Sequence, residues 1–126
     1  MAIPGRRARS RQRLSRSGEF ERVYRRGDSH SNRFMVLYSF PREQQGEDSR
    51  LGISAGRKLG GAVERNRVKR VLREAYQEVA EELPPAHDYV LVARPELRKL
   101  VEAEGTPGAV ACLREVIRDS GLTRNT

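Results

Sequence analysis

Arg65, Asn66, Arg67, Lys69, Arg70 and Arg73 lie within nine consecutive positions, and their types suit one kind of chemistry, the binding of anions. Arginine outnumbers lysine among them, which favours bidentate grips on phosphate and stacking on bases over point-charge attraction. On a helix with about 100° per residue, Arg65, Lys69, Arg73, Asn66 and Arg70 occupy one arc of roughly 140°. Val68, Val71, Leu72, Ala75 and Val79 form the apolar stripe beside that arc. Arg67 falls on the opposite flank of the stripe, so the Arg65-Asn66-Arg67 triplet is expected to straddle the core and grip its partner from two sides. An ordinary solvated face would interleave acids at i, i+4, yet only Glu64 intrudes before Glu74. Phosphates would relieve the resulting repulsion. The ridge therefore reads as a nucleic-acid contact, with a merely solvated basic helix as the alternative.

Gly56, Gly60 and Gly61 precede the ridge and let backbone amides approach an anion closely. They lack the phosphate-loop lysine pattern, so no nucleotide site is read there. Other chemistries find little support. His30 and His87 are isolated, and no Cys/His spacing suggests a metal. No Ser-His-Asp arrangement or glycine-flanked nucleophile is present. No catalytic residue and no metal ligand is expected from this chain. Cys112 reads as a small core residue, and Glu78, Glu81 and Glu82 as a solvated helix end.

Composition points the same way. The 126 residues carry a net charge of +8, with 33% charged and 37% hydrophobic. Residues 1–73 hold 19 of the 25 Lys+Arg and 7 of the 17 Asp+Glu, a balance of +12; residues 74–126 hold 6 and 10, a balance of −4. Such polarity implies a defined face for a nucleic acid or an anionic membrane surface. A single cysteine excludes an intrachain disulfide and fits a reducing compartment. No apolar run approaches a membrane span. A cytoplasmic protein without a membrane role is expected; an Arg-rich, acid-poor start also fits an organellar transit peptide.

The elements that must position the ridge follow from periodicity. Residues 1–13 are expected to be a disordered basic arm, ordering on a polyanion or simply solvated. A helix is expected from Leu14, capped by Ser17 and ended by Gly27, with Phe20, Val23 and Tyr24 on one face as core contacts. Residues 33–40 alternate Phe34, Val36, Tyr38 and Phe40 against Met35, Leu37 and Ser39, as a strand does. A polar loop at 41–49 leads to a strand at Leu51–Ala55, and the two strands are expected to form a hairpin. A long helix spans about Ala62 to Leu83, and Tyr89–Ala93 reads as a central strand. Thr106 as N-cap and Pro107 at the first helical position start a last helix carrying Val110, Leu113, Val116 and Ile117, which Gly121 ends. The expected class is α+β, a single-domain sandwich over 14–122 in the order α-β-β-(β)-α-β-α, with a short tail at 123–126.

The stretch S-x-G-R-K-x-G-G-A-V-x-R-N-R-x-K-R-x-L-R-E-A-Y, Ser54 to Tyr76, resembles the signature of the protein component of bacterial ribonuclease P. The similarity extends to RLSRSGEFERVYRRG at 13–27, NRFMVLY at 32–38 and DYVLVARP at 88–95. Gly61 departs from it where asparagine is common, as does the pair Ala55-Gly56. The resemblance implies a small mixed sheet with a left-handed β-α-β crossover, against the usual hand. It implies an accessory subunit that binds ribonuclease P RNA and precursor tRNA and assists endonucleolytic removal of the 5′ leader. Hydrolysis is then done by the RNA with magnesium, and no protein partner is obligatory. Arg65, Asn66, Arg67, Lys69, Arg70 and Arg73 are implied to face the catalytic RNA. Phe20, Tyr24 and Tyr38, with Arg57 and Lys58 at the edge, are implied to form the leader cleft, which places Phe20 and Tyr24 in a site as well as in a core stripe. Rival readings are a ribosomal or ribosome-assembly RNA binder, an autonomous nuclease and a DNA-binding helix module.

Overall fold

Val90 and Leu91, neighbours on one strand, are both fully buried, so apolar layers must cover both faces of the sheet that contains them. The computed structural model describes residues 17–41 and 49–122. The arm, the helix start at 14–16, loop residues 42–48 and the tail lie outside these, as do the side chains of Ser17 and Glu19. In chain order the elements are α1 (Ser17–Arg26), β1 (Asp28–Ser31), β2 (Met35–Pro41), β3 (Arg50–Ala55), α2 (Ala62–Val79), β4 (His87–Ala93) and α3 (Leu97–Ser120). Short 3-10 turns, Arg57–Leu59 and Ala80–Glu82, flank α2. The α+β class and the expected element order stand.

The sheet runs β1-β2-β4-β3, antiparallel except for the parallel pair β3–β4. This corrects the expected hairpin between 33–40 and 51–55. The strand at His87–Ala93 is apolar on both faces and takes the centre, so it separates β2 from β3. The hairpin partner of β2 is instead β1, Asp-Ser-His-Ser, whose polar residues give no alternating signal and which is held by its backbone ladder. The parallel pair β3–β4 is joined through α2, the crossover to which the implied hand refers.

The alternation expected for 33–40 sorts the two layers from Met35 on, while Phe34, ahead of the strand, packs against the main core and not with Tyr38 and Phe40 as expected. Met35 and Leu37 join the main core beneath α2 and α3, with Leu91, Val68, Leu72 and Leu113. Tyr38 and Phe40 turn to the other face and pack with Val23 of α1 and Val90. Gly27 sets how closely α1 approaches: a Cβ there would stand 2.5 Å from the Ser39 carbonyl oxygen and 2.6 Å from that of Val23. The Gly27 N–H closes the helix on the Val23 oxygen at 2.8 Å. On α2 the expected stripe is buried and widened by Tyr76, at 4% exposure. The α-helix stops at Val79, short of Leu83, and tightens into the 3-10 turn.

Helix α3 joins two helical segments across Gly105: the second follows the start expected at Thr106-Pro107, and the first, from Leu97, was not expected from the sequence. Leu97 and Val101 bury one face of a preceding segment, and the helix breaks at Gly105, whose φ of 65° and ψ of −151° suit glycine alone. The Thr106 hydroxyl donates to Glu74 Oε1 at 2.7 Å and ties α3 to α2. Gly121 ends the helix in the left-handed region, as expected. At the end of the sheet where β4 begins, the fully buried Asp88 accepts two hydrogen bonds from Arg50 at 2.8 Å each.

Candidate nucleic-acid interface

Helix α2 starts without a capping side chain because Gly61 occupies the N-cap. Glu64 compensates by accepting the Gly61 N–H at 3.0 Å, one half of a capping box. Arg98 of α3 braces the entry, donating from Nη1 to the Leu59 carbonyl at 3.2 Å and standing 3.8 Å from Glu64. The first turn, which carries Arg65, Asn66 and Arg67, is therefore fixed by groups that do not themselves face a partner.

Burial divides the basic ridge into two flanks. Arg65, Lys69 and Arg73 are half-buried, whereas Asn66, Arg67 and Arg70 are exposed. Val63, 79% exposed, lies i+4 from Arg67 and i+7 from Arg70, so these residues share the outward face. Measured across that face, only about 60° separates Arg67 from Arg70. Arg65 and Arg67 stand on opposite edges of the buried stripe, and across the solvent side the ridge runs on through Asn66 and Arg70 to Arg67. Arg70 is only loosely held by Glu74, at 3.9 Å. Arg65 Nε is buried and, among the described residues, has no hydrogen-bond partner.

Lys69 of the half-buried flank lines a cleft of about 700 Å³ together with Phe20, Glu21 and Tyr24 of α1 and Ile53, Ser54 and Ala55 of β3. It forms because α1 packs on β1, β2 and β4 and reaches β3 chiefly through Tyr24, which hydrogen-bonds Ser54. Phe20 and Tyr24, four apart on α1, both reach it; their ring centroids are 6.2 Å apart. Tyr38 stands behind, edge-on to Tyr24 at 4.8 Å, and supports the ring without lining the cleft. Burial pushes the Tyr24 hydroxyl above its usual 10.0; a hydrogen bond with Ser54 opposes this and Tyr38 adds to it. The hydroxyl is thus neutral at physiological pH, a polar tip on a stacking face.

Lys69, expected on the RNA-facing ridge, supplies the cation of this cleft. Arg57 and Lys58 are exposed on the 3-10 turn, two and three residues beyond Ala55, at the mouth. Ser54 and Glu21 were not foreseen as lining residues. A polar residue within the apolar run Leu51–Ala55 was the available signal for Ser54; Glu21 carries none, and its ion pair with Arg25 at 3.2 Å offsets its charge. Among the described residues no group of three or more His, Cys, Asp or Glu side chains could hold a metal ion. An exposed basic face beside an aromatic cleft with its own cation is suited to a single-stranded nucleic acid and a second, structured one.

A ribonuclease P family profile matches residues 8–116. The chain belongs to the ribonuclease P protein family. The ribonuclease P protein component of Geobacillus kaustophilus is 39% identical over 103 residues, covering 82% of this chain and 84% of that one. The RNase P protein of Staphylococcus aureus superimposes with a TM-score of 0.77 at 29% identity, over 89% of this chain and 97% of that chain. The RNase P protein of Thermotoga maritima does so with 0.74 at 27%, over 85% and 96%. These likenesses extend over both flanks of α2 and the cleft, so the fold that carries the candidate interface is the ribonuclease P protein fold. Family membership makes the chain a component of a ribonuclease complex that processes tRNA 5′ ends. Among the described residues no helix is long and apolar enough to cross a membrane.

Proposed function

We propose that the chain is the RNA-binding accessory subunit of ribonuclease P, with one RNA on each flank of α2. The observation that carries this reading is the position of Lys69, which belongs to the basic ridge and also walls the cleft with Phe20 and Tyr24. On the outward flank, Asn66, Arg67 and Arg70 bind the phosphate backbone of ribonuclease P RNA. In the cleft, bases of the single-stranded 5′ leader of precursor tRNA stack on Phe20 and Tyr24, each contributing about 1–3 kcal/mol. Lys69 meets the leader phosphates on one side, Arg57 and Lys58 meet them at the mouth, and Arg65, at the head of the ridge, joins Arg67 on ribonuclease P RNA. Arg73, higher on the same flank, continues the ridge.

Catalysis is proposed to belong to the RNA, with no residue of this chain in the reacting set. Magnesium held by RNA phosphates, the hard oxygen ligands it prefers, would supply a metal-activated water for the hydrolysis, and no side chain of this chain is proposed to hold it. The protein's residues bind, orient and neutralise. The working location is the cytoplasm, and no further protein partner is required.

Two variants test the assignment. Arg65→Ala with Arg67→Ala should weaken assembly with ribonuclease P RNA and lower the slope of log K against log salt by roughly 0.7–0.9 for each lost phosphate. Phe20→Ala should weaken binding of precursor tRNA while sparing mature tRNA. Equal weakening of both substrates would make the aromatics structural.

A further inference from the structure

Ala55, Ala93 and Met35 are register partners across β3, β4 and β2, so they mark one row at one end of the sheet. Beyond that row the chain continues into Gly56-Arg57-Lys58, into Arg94 and back into the 32–34 turn. Three segments that are remote in sequence therefore meet within two inter-strand spacings, about 10 Å.

Arg94 is held firmly at this end. Its N–H donates to the Phe34 oxygen at 2.9 Å, adding one rung beyond the strand, and its Nη1 donates to the Asn32 oxygen at 3.2 Å. Asn32 is itself locked, accepting the N–H groups of Phe34 and Met35 at 2.9 and 3.0 Å. The neighbouring Arg33 is neutralised by Glu96 at 2.9 Å and lies over the Phe34 ring, so it stiffens the turn. Arg94, Arg57 and Lys58 are exposed, and among the described residues no carboxylate lies within ion-pair distance of any of them. Packing does not explain three unneutralised cations gathered at one end of the sheet. Their repulsion is relieved by a polyanion, and Arg94 keeps free donors fixed toward solvent.

We propose that Arg94 is an RNA phosphate ligand, completing a row with Arg57 and Lys58 that carries the nucleic-acid surface from the start of α2 across the end of the sheet. The inference rests on the RNA-binding function proposed above. The ligand is a phosphodiester backbone, supplied either by ribonuclease P RNA or by precursor tRNA.

The test measures affinity over a salt series for the full chain, Arg94→Gln and Arg94→Lys. One arm uses ribonuclease P RNA; the other uses precursor tRNA added to the assembled ribonucleoprotein. Arg94→Gln should lower the log–log salt slope by roughly 0.7–0.9 in one arm, which identifies the source of the phosphate. Arg94→Lys, which keeps the charge, should restore it. An unchanged slope for Arg94→Gln in both arms overturns the proposal even if affinity falls, because Arg94 then only braces the turn. A lysine variant that stays at the glutamine slope overturns it as well. The Arg65→Ala, Arg67→Ala protein, run in parallel, keeps the two claims apart: its slope loss upholds the main interface whichever way Arg94 behaves.

Discussion

Single side chains here divide into those that hold the fold and those that face a partner. Asp88 is fully buried and depends on Arg50, whose side chain is 18% exposed. Truncating one member of such a pair removes the charge that offsets the burial of the other, whereas replacing both with apolar groups is often neutral. Arg50→Ala should therefore destabilise the protein by about 3–5 kcal/mol, and Arg50→Met with Asp88→Leu by much less, both read from urea midpoints. Equal losses would mean that the pair itself contributes net stability. Cys112 offers a titration test. Burial pushes its thiol above the usual 9.0, and Glu115 and Glu104 add to this. With the folded pKa above the unfolded one, the native state holds the extra proton, so this stability is complete below pH 9 and declines as pH rises through the folded pKa. A thiol reagent at pH 8 should modify the native protein far more slowly than the urea-unfolded chain. Equal rates would show the thiolate to be accessible.

At the scale of elements, α1 sets the cleft because it packs on β1, β2 and β4 and leaves most of β3 uncovered. Its seat depends on Gly27, where an added Cβ would meet two backbone oxygens that cannot swing away. Gly27→Ala should lower stability by about 1–3 kcal/mol and shift Phe20 and Tyr24, so leader binding should weaken with it. Gly18→Ala, with nothing within 4 Å of its Cβ, is the control and should be neutral or slightly stabilising. Thermal melts and leader affinity check both; an unperturbed Gly27→Ala would show that α1 tolerates a larger separation. Elements with strong apolar period were legible from sequence: α2 by its stripe, β2 by alternation, β4 by its doubly apolar run. The misses have physical causes. β1 buries almost nothing, and its pairing lies in the backbone. The β2–β3 hairpin was inferred from proximity in sequence, whereas burial of both faces of β4 decided the strand order. The first part of α3 had a readable signal in Leu97, Leu100 and Val101, overridden by the start signal at Thr106-Pro107.

Over the whole molecule, the charge asymmetry visible in sequence becomes a spatial one. The end of the sheet where α2 starts gathers Arg57, Lys58, Arg65, Arg67 and Arg94, while α2 runs away from it towards Glu78, Glu81 and Glu82. Of that last group, Glu82 is tied to Arg114 at 2.7 Å, and the pair's exposure leaves it little weight in stability. The site was legible as a helix with a basic arc. The two flanks of the arc were not, because a wheel locates residues around an axis but does not say which neighbours cover them. Burial makes Lys69 a cleft residue and joins Arg67 to Arg70. In the proposed function the chain helps an RNA enzyme by holding its substrate's leader and lowering repulsion between two RNAs. The most direct measurement adds the purified protein to a bacterial ribonuclease P RNA and follows 5′ leader cleavage at low magnesium. RNA and protein together should cleave where the RNA alone is slow, and the protein alone should do nothing. Cleavage by the protein alone, or no stimulation of the RNA, would contradict it.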